Sequence, residues 1–155
     1  MLAIPFSLLV FAILESCITF AGQQVLSNAV DDVARQLRTG NIRAADLNEL
    51  TVRNMICDRI EVLVAKDCPG LIVDLRSYAT FADAAKERIT LTSSRNIDTT
   101  GFGWKSGPSV SKNMLRAFYK WPVITDFMRA SMSNLEGGYT LQFAASVWQN
   151  EPFNE

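Results

Sequence analysis

LAIPFSLLVFAILESCITFA, residues 2–21, opens the chain and decides its fold. About 20 apolar residues match the length of a helix that crosses a hydrocarbon core at ~1.5 Å per residue. Pro5 falls in the first turns, where its missing N–H and fixed φ are tolerated. Glu15 is the only charged residue before Gln23. A membrane anchor over residues 1–22 is the first reading. A signal peptide is the second, because Thr19-Phe20-Ala21 offers a small-x-Ala cut, although no basic residue precedes the apolar run. A buried core helix is the third. The lipoprotein reading of Leu14-Glu15-Ser16-Cys17 is opposed by a glutamate inside the hydrophobic run.

Downstream the apolar pattern changes without stopping. Val25, Leu26, Ala29, Val30, Val33, Ala34 and Leu37 recur at steps of three and four, with Gln24, Ser27, Asn28, Asp31 and Asp32 on the other face. Arg35 and Arg38 suit a last turn, and Gly40 suits the residue after it. One helix from Pro5 to Thr39, roughly 50 Å long, is expected: apolar all round at first, amphipathic afterwards. Asp31 and Asp32 read as a solvated face. The first basic residue after the apolar run is Arg35, and a flank poor in Lys and Arg is the side usually translocated. The body is therefore expected outside the cytoplasm.

Residues 23–155 read as one head. After a polar connection from Asn41 to Asn48, Thr51 can cap a helix carrying Val52, Met55, Ile56, Ile60, Leu63 and Val64. Leu71–Arg76 alternates as a strand with Asp74 and Arg76 on its polar face. Phe81–Lys86 is a turn or short helix, and Arg88–Thr92 a possible second strand. Ser93–Asn113, with Gly101, Gly103, Gly107 and Pro108, reads as a long loop exposing Phe102 and Trp104 as a contact patch. Met114–Trp121 reads as a strand, Ile124–Met132 as helix, and Gly137-Gly138 opens a last strand to Trp148. The fold class is α+β: a long N-terminal membrane-to-head helix packed on a small antiparallel sheet.

Cys57 and Cys68 flank the passage from helix to strand. In an oxidising compartment they form a disulfide; otherwise they are two buried thiols. Cys17 packs in the apolar segment. Glu15, costly inside a bilayer, either meets another subunit's helix as an intramembrane polar contact or reaches headgroups and water at the boundary. No histidine occurs among the 155 residues, which removes His-dependent triads and the commonest metal ligand. Two thiols alone close no metal site. A net charge of −1 argues against nucleic acid as a partner. No nucleophile–base pair is apparent, so neither enzymatic activity, catalytic residues, a metal nor a cofactor is expected.

Four stretches together carry a resemblance: the Pro-containing helix ending Phe11-Ala-Ile-Leu-Glu15; its extension Gln24 to Gly40, with the Ala-Arg-x-x-Arg-Thr-Gly run; the Cys57–Cys68 segment leading into Leu71–Arg76; and the ending Trp148-Gln-Asn-Glu-Pro-Phe153. In these the chain resembles the TadE-like proteins, pilin-like components of the tight-adherence (Tad) pilus assembly system. The resemblance implies a pseudopilin or minor pilin, anchored once in a bacterial inner membrane with a pilin-like spine and a periplasmic head. It implies other pilin-like subunits and the inner-membrane Tad machinery as partners, and a part in adherence and biofilm formation. Family members carry a basic leader, cut before a glutamate; this chain shows neither feature, so Glu15 is not equated with that glutamate. A secreted binding domain released near Ala21 is the alternative.

Overall fold

A computed structural model describes residues 2–42 and 46–152; Arg43 to Ala45 of the polar connection and Phe153 of the C-terminal motif lie outside them. Helix α1 (Ala3–Arg38) is continuous across the point where its sequence pattern changes. Its first buried residue is Glu15; from Leu26 onward Leu26, Ala29, Val30, Val33, Ala34 and Leu37 are buried along one stripe. Hydroxyls within the apolar half are satisfied locally: Ser7, Ser16 and Thr19 donate to the carbonyls of Ala3, Ala12 and Glu15. Among the described residues, α1 is the one helix long and apolar enough to cross a membrane.

The sheet is an antiparallel meander, β1 (Leu71–Tyr78), β2 (Lys112–Pro122) and β3 (Tyr139–Gln149), with β2 central. Its register pairs Leu75 with Leu115 and Ala117 with Ala144. One sheet face, carrying Leu71, Val73, Leu75, Leu115, Ala117, Tyr119, Trp121, Ala144 and Trp148, packs with the α1 stripe into a single core. Helix α2 (Glu49–Ile60) adds Val52, Ile56 and Ile60. Its N-cap is Asn48, whose side chain accepts from Thr51 N–H, rather than Thr51 itself; the apolar period alone left the cap ambiguous within one turn. Asp32 joins the two helices by accepting from Arg59 at 2.9 Å and Arg35 at 2.8 Å, so it is an inter-helix tie and not merely a solvated position. Those bonds, Arg59's first, hold its carboxyl below the usual range.

The chain between β1 and β2 corrects the sequence reading most. It contains the short helix α3 (Phe81–Ala84), but Arg88–Thr92 forms no strand, only an isolated bridge from Leu91 to Ile97. This excursion folds back over the second sheet face. Phe102 stacks on Phe118 at 5.5 Å between ring centroids, and the Arg116 guanidinium lies 5.2 Å from the Phe102 centroid. Trp104 bridges to Leu75 beside β1 and packs against the core. Both rings are thus half-buried against the sheet rather than held out in solvent on a free loop. Their aromatic area does more when it covers strand residues than when it faces water.

Asp74, expected on a polar face, is fully buried by the same excursion. It accepts from Arg116 Nε at 2.9 Å and Nη2 at 2.7 Å, from Arg76 Nε at 3.2 Å and from Gly103 N–H at 2.9 Å. Arg76 continues to Glu87 at 2.8 Å. Two acids and two bases thus form a closed, neutral network on the back of the sheet. At the base of the head Cys57 and Cys68 are joined, with a 5.7 Å Cα separation. The turn between them places Asp67 and Cys68 at positive φ. Arg53 holds it by donating to the carbonyls of Asp67 and Cys68 at 2.7 and 2.9 Å.

Two variants test these supports. Asp74→Ala leaves the buried Arg116 without its main counter-charge and should cost about 3–5 kcal/mol in denaturant unfolding. Cys57→Ser with Cys68→Ser opens a loop of sequence separation 11 and should cost about 3 kcal/mol on the chain-entropy account. Reduction of the native chain should match the double mutant.

Candidate functional site

The features least explained by core packing cluster where the head grips the emerging helix. Glu15 is 7% exposed and is satisfied within its own chain. Its carboxylate accepts from Ile124 N–H, from Thr125 N–H at 3.3 Å and from the Thr125 hydroxyl. These groups stand at the entry to α4 (Asp126–Met132), whose N-cap Thr125 makes no side-chain bond to its own helix. A carboxylate there meets otherwise unpaired N–H donors, which favour negative charge. Neither sequence reading of Glu15, another subunit's helix or headgroups and water, included this partner. The interaction is between residues more than 100 positions apart, beyond the reach of any local pattern.

One turn further on, Gln142 Nε2 donates to the Thr19 carbonyl at 2.9 Å. Gln23 then takes both backbone groups of Phe143, donating to its carbonyl at 2.8 Å and accepting its N–H at 3.3 Å. A side-chain amide thereby occupies hydrogen-bonding groups that an edge strand would otherwise leave open. Between these contacts Gly22 lies against the Trp121 ring: a Cβ there would stand 2.6 Å from Cζ3 and 2.8 Å from Cη2. The head therefore holds the helix from Glu15 onward, about two turns before the boundary expected at residue 22.

At the other end of α1 the two most distinctive sequence runs touch. Glu151 N–H donates to the Arg38 carbonyl at 3.0 Å, and its carboxylate pairs with Arg38 at 3.3 Å. Asn150, 3% exposed, accepts from Trp148 Nε1 at 2.8 Å and from Asn113 Nδ2 at 2.9 Å. It donates to the carbonyls of Gly107 and Pro108. The Asn-Glu pair of the C-terminal motif thus ties the sheet, the β1–β2 excursion and the end of α1 together.

Beside the grip an apolar groove of about 570 Å³ runs from the β1–β2 end to the helix, lined by Ile18, Pro69, Tyr119, Trp121, Ile124 and Tyr139 among others. Burial raises the Tyr119 hydroxyl pKa above its ordinary value. A second hollow of about 480 Å³ is lined by Leu47, Leu75, Trp104 and Lys105. Cys17 is a free, exposed thiol on the apolar half of α1. Glu61 lies near the paired sulfurs, 3.6 Å from Cys57 Sγ; with the sulfurs bonded to each other, this cluster offers no thiolate ligands. Glu15, Gly22 and Gln23 converge on the head; Phe102 and Trp104 lie elsewhere, on the excursion.

Gly22→Val should overpack the grip against Trp121 and lower stability by about 1–3 kcal/mol. Adding Trp121→Leu should recover part of that loss, and a double mutant no better than the sum of the singles would refute the steric account. Comparison of the chain with known protein-family models, with curated proteins and with solved structures returns no match.

Proposed function

We propose that this protein is a pilin-like, TadE-like membrane component of a Tad pilus assembly system, acting as a pseudopilin or minor pilin in adherence and biofilm formation. The observation that carries the reading is α1 itself. It is a single helix of 36 residues, roughly 54 Å long, bare and apolar at one end and the spine of an α+β head at the other. Such an element suits a subunit that is stored in a bilayer and later withdrawn into a fibre, because the same apolar surface can face lipid or neighbouring spines. The Cys57–Cys68 bond fits a head in an oxidising compartment, which on this reading is the periplasm. The partners are then other pilin-like subunits and the inner-membrane assembly machinery.

The secreted-domain alternative is disfavoured by the grip. Cutting after Ala21 would remove Glu15 and the Thr19 carbonyl, leaving the N–H groups of Ile124 and Thr125 and the Gln142 amide without these partners. Carbonate extraction should leave the full chain, apolar segment included, in the membrane pellet; a soluble product beginning at Gly22 would overturn the anchored reading. Glu15→Leu should leave insertion intact while freeing the α4 entry, so piliation should fall sharply with membrane levels unchanged. Normal piliation in that mutant would defeat the assembly role assigned to the Glu15 grip.

A further inference from the structure

The segment that Glu15 holds carries apolar side chains that the head does not use. Ile124 is 72% exposed and Phe127, in the first turn of α4, is 46% exposed. Met128 beside them is half-buried, and α4 buries none of its residues fully. Helical spacing sets Phe127 and Met128 on a different side of α4 from Asp126 and Arg129, which pair with each other at 2.8 Å. A helix so short has little stability of its own. It is held at its entry by the bonding of Ile124 and Thr125 to Glu15 and the Arg129 donation to the Val123 carbonyl at 3.3 Å, and at its end by the Thr140 hydroxyl donating to the Met132 carbonyl.

That tether also sets its level along α1. The exposed surface of α1 remains apolar past Glu15: Ile18 and Phe20, both nearer the head, are 48% and 72% exposed. With α1 as the membrane anchor, an apolar surface that runs beyond the tether puts the tether at the depth of lipid. Ile124 lines one groove with Ile18 of α1, so its exposed side chain adjoins the apolar surface of the helix, and Phe127 follows three residues later in the first turn of α4.

We propose that residues 124–132 form an interfacial foot, seated in the headgroup layer of the bilayer with Ile124 and Phe127 reaching the ends of the acyl chains. The proposal rests on α1 being a membrane anchor. The foot turns a single-pass helix into a two-point attachment: the helix fixes depth, and the foot resists tilting of the head and its rotation about the helix axis. Its occupant is a lipid surface, recognised through apolar area at the interface.

The test is collisional accessibility of nitroxide labels on the full chain in vesicles of phosphatidylethanolamine and phosphatidylglycerol. Cys17→Ser removes the free thiol, leaving the disulfide-bonded pair unreactive, and single cysteines are placed at Phe127, Ile124, Leu9 and Thr39. Thr39 lies roughly 36 Å along the helix from Glu15 and serves as the aqueous reference. The foot predicts that labels at 127 and 124 favour oxygen over a water-soluble nickel chelate several-fold more than the label at 39. Water-like values at 127 and 124, with a lipid-like value at 9, would overturn the foot while leaving the anchor standing. A water-like value at 9 would overturn both. Labels at 127 and 124 shielded from both reagents would overturn the lipid assignment in favour of a protein cover. Agreement between Ile124→Cys and Phe127→Cys guards against a local defect in either variant.

Discussion

Everything in the head depends on one apolar seam, the stripe of α1 from Leu26 to Leu37 pressed against the face of a three-stranded sheet. A small sheet needs a hydrophobic face buried, here against a helix, to be stable, and a helix with a single apolar stripe needs a surface to bury it. Each supplies what the other lacks. Val33, Leu75 and Leu115 are completely excluded from water at this seam. The small residues Ala29, Ala34, Ala117 and Ala144 let helix and sheet approach closely. Because the stripe belongs to a helix whose other half is bare and apolar, long enough to cross a membrane, the head is organised around an element that it covers only in part.

The second sheet face is covered by different means. The excursion between β1 and β2 supplies one aromatic ring, Phe102, and completes the Asp74–Arg116–Arg76–Glu87 network. A charged network beneath a loop contributes less through burial than an apolar core would, but its bonds accept only one arrangement of partners. Asp74 has Gly103 N–H on one oxygen and Arg116 on the other, so the loop and the central strand are held by the same carboxylate.

Much of this architecture was readable from periodicity. The change in α1 from all-round apolar to striped, the alternation in Leu71–Arg76, and the Gly137-Gly138 entry to β3 each correspond to observed elements. Cys57 and Cys68 pair as their spacing allowed. What periodicity could not convey was contact between distant charges. Asp74 on an alternating strand reads as solvent-facing unless one knows that residues 102 and 103 return over it. Glu15 reads as a liability in lipid unless one knows that Thr125 comes to meet it. Phe102 and Trp104 misled for the related reason that glycine-rich surroundings suggest an exposed loop, whereas here the glycines let backbone approach the sheet: Gly103 donates to Asp74 and its carbonyl accepts from Leu75.

The placement of the bonds along α1 has a mechanical consequence. Gln23 meets β3 at Phe143, and Arg38 meets the chain just beyond β3 at Glu151, so helix and strand run in the same direction with their connections spread along the length. A tensile load drawn along α1 is then borne as shear, with the seam and its flanking bonds strained together. Attachments that must yield together resist force far better than those that peel open one after another. A pull along the helix axis therefore meets α1 and the sheet as one unit, not as a series of separate contacts.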